Sequence, residues 1–131
     1  MIRSLAILGV ALLGVALLAA SALAEKVTEV PTSVTFSNPE SGVYTGTVNS
    51  KRAACRDVRR VTILDDRNRN GRSDGADRTL AKTFSGNTGV YTARGDQARR
   101  GDQLLIIVGD KILGRAAFCR SFIRIVAPQS R

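Results

Sequence analysis

Val58-Arg59-Arg60-Val61-Thr62-Ile63-Leu64, then Asp65-Asp66-Arg67-Asn68-Arg69-Asn70-Gly71-Arg72-Ser73-Asp74-Gly75-Ala76-Asp77, then Arg78-Thr79-Leu80-Ala81-Lys82-Thr83-Phe84, is the stretch on which the fold turns. Val61 and Ile63 alternate with Arg60 and Thr62, the period of a strand with one face toward a core. Thr79 to Phe84 reads as a second strand. The polar segment between them therefore caps a β-hairpin and does not join two helices.

The loop has its own pattern. Counting from Asp66, oxygen-bearing side chains fall at positions 1, 3, 5, 9 and 12 (Asp66, Asn68, Asn70, Asp74, Asp77), with Gly71 at position 6. This is the spacing of a twelve-residue calcium loop, since calcium takes six to eight oxygen ligands from a sharply turned backbone. Arg72 would add its backbone carbonyl. Charge tempers the pattern: Asp65, Asp66, Asp74 and Asp77 stand against Arg67, Arg69 and Arg72, a net of −1. That implies weak, roughly millimolar affinity, the regime of extracellular modules. The competing reading is a polar hairpin loop whose Asn-Gly and Asp-Gly pairs make turns and bind nothing. On either reading Gly71 and Gly75 are expected to take positive φ.

Outward from the hairpin, the chain continues as strands. Val30 to Phe36, Gly42 to Val48, Gly89 to Ala93, Gln103 to Val108 and Ala117 to Val126 are the other candidates. Tyr44, Gly46 and Val48 share one side. In the last segment Cys119, Ser121, Ile123 and Ile125 are expected on one face and Phe118, Arg120, Phe122 and Arg124 on the other. Turn residues punctuate the joins at Ser37-Asn38-Pro39, Gly86-Asn87, Gly95-Asp96, Gly101-Asp102 and Gly109-Asp110. The fold class predicted is all-β: a single β-sandwich of about seven antiparallel strands, with a small closed barrel as the rival.

The first 24 residues are expected to lie outside that domain. Met1-Ile2-Arg3 is a short positive start, residues 4–20 carry no charge, and Ala22-Leu23-Ala24 supplies a cleavage site before Glu25. This is the pattern of a secretory signal peptide. Residues 25–131 then form the sandwich domain, with its core at about 42–126, and 107 residues suffice for one core. With no apolar tail at the C-terminus, the processed chain is expected to be secreted, extracellular or periplasmic, without a stable membrane anchor. The two cysteines, Cys55 and Cys119, are expected to pair in that oxidising compartment.

The chain resembles the prealbumin-like sandwich modules of bacterial secreted and surface proteins, among them carboxypeptidase regulatory-like domains and adhesin B-type repeats. The resemblance rests on Tyr44-Thr45-Gly46-Thr47-Val48, Val61-Thr62-Ile63-Leu64-Asp65-Asp66, Ser85-Gly86-Asn87-Thr88-Gly89-Val90-Tyr91 and Cys119-Arg120-Ser121-Phe122-Ile123-Arg124-Ile125. It implies an immunoglobulin-like or prealbumin-like sandwich over residues 42–126. It does not carry chemistry across. Related hydroxyisourate hydrolases use histidines, and this chain has none; adhesin repeats often cross-link through an Asn that the last strand lacks.

Without histidine, Ser-His-Asp and Cys-His nucleophiles and histidine-containing zinc sites are excluded. No phosphate-binding loop or dinucleotide fingerprint is present, so no catalytic residue is assigned. Losing Arg3 with the leader takes the net charge from +9 to +8. Such charge attracts anionic partners. Few aromatics and an exported chain argue against nucleic acid. The leading expectation is a secreted, non-catalytic structural or interaction module whose hairpin loop offers a weak stabilising calcium site, the polar loop that binds nothing standing beside it. The alternative is a module binding an anionic cell-wall or polysaccharide ligand through surface arginines. Arg94-Gly95-Asp96 and Arg100-Gly101-Asp102 resemble an integrin-binding tripeptide, but Gly-Asp is ordinary turn chemistry and turns are the reading adopted.

Overall fold

The computed structural model describes residues 26–128, apart from the side chain of Pro39; the expected signal peptide lies outside the described residues. The described chain is all-β. Its strands are β1 (Thr28–Val30), β2 (Ser33–Val34), β3 (Ser37–Glu40), β4 (Val43–Asn49), β5 (Arg60–Asp65), β6 (Arg78–Phe84), β7 (Val90–Arg94), β8 (Leu104–Val108), β9 (Lys111–Ile112), β10 (Ala117–Cys119) and β11 (Phe122–Val126). One 3-10 turn, Ala53–Cys55, interrupts them.

The expected hairpin is present: β5 and β6 pair antiparallel from Arg60↔Phe84 to Asp65↔Arg78, with a bulge at Ile63/Leu64. β8 lies on the other side of β5 and β11 beyond it, giving the sheet order β11-β8-β5-β6. A second sheet is built on β4, which pairs with β7 on one edge and with β2 and β3 on the other. Val34, Tyr44, Val48, Tyr91 and Ala93 from this sheet meet Val61, Ile63, Leu80, Leu104, Ile106 and Val108 from the first in one core. The alternating apolar residues of β5, Val61 and Ile63, and Leu104, Ile106 and Val108 of the continuously apolar β8 are thus buried between two sheets. The two tyrosines keep their hydroxyls satisfied inside it. Tyr44 donates to Asp96 O at 2.6 Å and Tyr91 to Thr35 O at 2.7 Å. Gly46 lies where Tyr91 crosses, and a Cβ there would overlap Thr35 O and the Tyr91 hydroxyl.

A third sheet of β1, β10 and β9 holds β1 parallel to β10. The Cys55–Cys119 disulfide ties the 3-10 turn to this sheet and forms a small second cluster with Val30 and Leu113. The pairing expected from the sequence is therefore made, and no cysteine is left free.

Several strand boundaries differ from expectation, for local reasons. Pro31 has no amide donor and ends a ladder, so Val30 to Phe36 divides into β1 and β2, which join different sheets. Ser37-Asn38-Pro39, expected as a turn, lies in the short strand β3. Ala117 to Val126 breaks at Arg120–Ser121 into β10 and β11. Within β11 the expected alternation holds, with Phe122 and Val126 packed on the core and Ile123 and Ile125 exposed, but across the break the buried Cys119 no longer shares a face with Ile123 and Ile125. Among the described residues no helix is long and apolar enough to cross a membrane.

Candidate functional site

The loop between β5 and β6 folds so that its side chains cap its own backbone. Asn70 Oδ1 accepts from Arg72 N at 2.9 Å and Asp74 Oδ1 from Ala76 N at 3.0 Å, both two residues on. Asp77 Oδ2 accepts from Asp74 N at 2.9 Å. The amides of Asn68 and Asn70 both donate to Asp74 Oδ2. Those two amide bonds, ahead of the Ala76 N–H, hold the Asp74 carboxyl below its ordinary range. Gly71 has φ +71, which frees the backbone to turn back at position 6. Gly75 does not have positive φ, against expectation; the left-handed residue of the loop besides Gly71 is Arg69, φ 53.

Asp66 is the unusual member. It is 1 % exposed. Its Oδ2 accepts from Gly71 N at 2.9 Å inside the loop and from Gln103 Nε2 at 2.8 Å. Its backbone is fixed as well: Asp66 N donates to Gln103 O at 2.8 Å and Asp66 O accepts from Arg69 N at 3.1 Å. Its Oδ1 is buried with no partner, and so is Asp77 Oδ1. These are the first and last positions of the candidate ligand set.

The loop thus gathers Asn68, Asn70, Asp74 and Asp77 into one hydrogen-bonded cluster and places Asp66 at its root. Among the described residues no group of three or more acidic, His or Cys side chains converges on a metal-holding point. The amide nitrogens of Asn68 and Asn70 face Asp74, so half-turns of these exposed amides would be needed to present oxygens instead. The oxygen donors suit calcium chemically, as two free carboxylate oxygens (Asp66 and Asp77) and four further donors (Asn68, Asn70, Asp74 and the Arg72 carbonyl), but they are not preassembled. Arg67, Arg69 and Arg99 line the same hollow as Asp65, Asp66 and Asp102 beside the loop, which offsets the acidic charge there.

One feature was not visible as a site in the sequence. Arg59 is 1 % exposed. Its Nε and Nη2 donate to Gly109 O at 3.0 and 2.6 Å, Nη2 also to Arg120 O at 2.8 Å, and Nη1 to Cys55 O at 2.7 Å and Thr32 Oγ1 at 3.0 Å. The guanidinium is thus solvated by backbone dipoles rather than by a carboxylate, and burial lowers its pKa. It joins the disulfide turn, the β8–β9 connection and the β10–β11 break. Val58, just before it, has φ 50, a conformation costly for a β-branched residue. Val58 N bonds Ser85 O, and Ser85 Oγ bridges Arg59 N and Arg56 O, which holds that conformation.

The two Arg-Gly-Asp copies serve as turns. Gly95 N and Asp96 N bond Gly42 O and Leu80 O, at the end of β7. Arg99 to Asp102 closes on itself through Asp102 N to Arg99 O at 3.1 Å and Arg99 N to Asp102 Oδ2 at 2.7 Å.

No protein-family model, curated protein or solved structure matches this chain.

Proposed function

We propose that the chain is an exported, non-catalytic module of prealbumin-like type whose 66–77 loop takes a calcium ion as a structural clamp. Asp66 carries the reading. A carboxylate this deeply buried, with one oxygen unpaired and no ion pair within 4 Å among the described residues, is stabilised by a cation beside it, and the arginines of the hollow compensate it only at longer range. Its other oxygen is already bonded to Gly71 N inside the loop, so the free oxygen belongs to the same turn. Asp77 supplies the second free carboxylate oxygen, and Asn68, Asn70, Asp74 and the Arg72 carbonyl complete the set. The disulfide supports residence in an oxidising compartment. The two sheets around one core support a sandwich. The absence of histidine supports a non-catalytic role.

Bound calcium would hold the β5–β6 hairpin and its seat against Gln103; it would not switch a helix pair, since none flanks the loop. The test is a residue-resolved amide NMR titration with calcium. Saturating shifts confined to residues 66–77 and Gln103, with magnesium weaker, are the expected result. Shifts scattered over the acidic surface, or none at about 10 mM calcium, ten times a millimolar Kd, would defeat the reading.

A further inference from the structure

We propose that the cleft between the two four-stranded sheets, on the side of β11 and β3, binds an acidic oligosaccharide. The claim does not depend on calcium and gives a location to the chain's positive charge. The cleft encloses about 950 Å³, within the range of small-ligand sites. Its apolar lining comes from Phe36, Leu104 and Val126. Phe36 stacks on the buried Tyr44, with ring centroids 6.1 Å apart, so it is held in place. Arg99, Arg100 and Arg124 also line the cleft, and none of the three makes an ion pair among the described residues. The one lining carboxylate, Asp102, accepts from the Arg99 amide through Oδ2, which turns one of its oxygens into the loop.

The backbone carrying Arg99 and Arg100 is fixed before any ligand arrives, and Arg124 is held by its side chain. Arg99 and Arg100 stand on the closed Arg99–Asp102 turn, where Gly101 has φ +85 and its carbonyl accepts from Arg69 Nη2 at 3.0 Å. Arg124 comes from the other wall, and its Nη1 donates to Val34 O at 3.0 Å, which leaves Nε and Nη2 for a ligand. Guanidinium forks pair bidentately with carboxylate or sulfate. Apolar side chains beside them suit the C–H face of a sugar ring, and Ser37 and Gln97 supply hydroxyl and amide partners for sugar hydroxyls. A base-stacking ligand would need more than one aromatic, and the cleft has Phe36 alone.

The probes are a galacturonate trisaccharide, a hyaluronan tetrasaccharide and a heparin-derived tetrasaccharide. A neutral oligosaccharide of matched length and inorganic phosphate serve as comparisons, titrated calorimetrically into the full chain with and without calcium. At least one acidic oligosaccharide is expected to bind, more tightly than the neutral sugar or phosphate, and less tightly as salt rises. The double variant Arg99→Gln/Arg100→Gln is expected to weaken it about tenfold or more, as for loss of charge-assisted hydrogen bonds, while Arg115→Gln, outside the cleft, leaves it unchanged. Three results each overturn the proposal: no acidic probe binds; phosphate binds as well as the saccharides; or the Arg99/Arg100 variant binds like the wild type. Binding that persists under chelation supports the cleft whatever becomes of the ion, so the two readings fail separately.

Discussion

Replacing Arg59 by Met, which keeps length and removes the charge, tests how the disulfide end of the domain is held. The guanidinium fills five hydrogen bonds to three carbonyls and one hydroxyl, all in a site where Arg59 is 1 % exposed. A buried carbonyl left without a donor costs about 1–3 kcal/mol; Cys55 O is in that position, while the part-buried Gly109 and Arg120 carbonyls cost less because water can reach them. Against this, Met relieves a buried charge, a penalty of several kcal/mol in its own right. The carbonyl loss wins if the backbone cannot move to find water, and the disulfide and the β10–β9 pairing restrict that movement. A net destabilisation of about 2 kcal/mol is expected, a fall in midpoint of about 8–16 °C for a domain this size. Urea unfolding followed by circular dichroism measures it. Lys keeps the charge but has three donors on one centre, which cannot reach all four acceptors, so Arg59→Lys should fall between wild type and Arg59→Met. An Arg59→Met protein within about 1 kcal/mol of wild type, below the cost of even one stranded carbonyl, would refute the reasoning.

Three further outcomes are expected. Replacing Cys55 and Cys119 together by Ser should cost about 4 kcal/mol in urea unfolding, the chain-entropy value for closing a loop of this length; a loss under about 1 kcal/mol would remove the bridge as a main stabiliser. Gly46→Ala should prevent native folding, because its Cβ would overlap the Thr35 carbonyl and the Tyr91 hydroxyl, whereas Gly75→Ala, with open space and ordinary φ, should leave the circular-dichroism melt within a few degrees of wild type. Burial pushes the Tyr91 hydroxyl up to about 12. Its contribution to stability is therefore complete below the ordinary tyrosine pKa and is lost as pH rises through about 12. Tyr91→Phe should lose less stability than wild type across that alkaline window, and phenolate absorbance there should be smaller in Tyr91→Phe than in wild type.

How much of this was written in the sequence depends on the range over which each feature is decided. The β5–β6 hairpin is local, and the alternation of Val61 and Ile63 was enough to find it. The loop's internal turns are local too, as the Asx contacts from Asn70 and Asp74 show. The Cys55–Cys119 pair needed only parity and compartment. Features set by distant pairing were hidden. Ala117 to Val126 looks like one strand until β10 joins β1 while β11 joins β8. Arg59 shares parity with Val61 and Ile63 and so falls on their side of the chain; that parity was the available signal for its burial. The cleft arises only because β8 and β11 pair at Leu104↔Val126, which brings Arg124 beside the 99–102 turn. Spacing along the chain holds no trace of that meeting. For the loop, sequence spacing named the candidate ligands, while the buried, half-satisfied state of Asp66 emerges only once Gln103 lies beside it.

The most direct measurement of the central claim is a melting curve taken in chelator and in calcium, on wild type and on an Asp66→Ala/Asp74→Ala double variant. With a Kd near a millimolar, about 10 mM calcium adds about 1.4 kcal/mol of stability. That corresponds to a rise in midpoint of about 5–10 °C. The account expects this rise in wild type, little or none with magnesium, and none in the double variant. A wild-type midpoint that does not move, or a double variant that responds to calcium as wild type does, would contradict it.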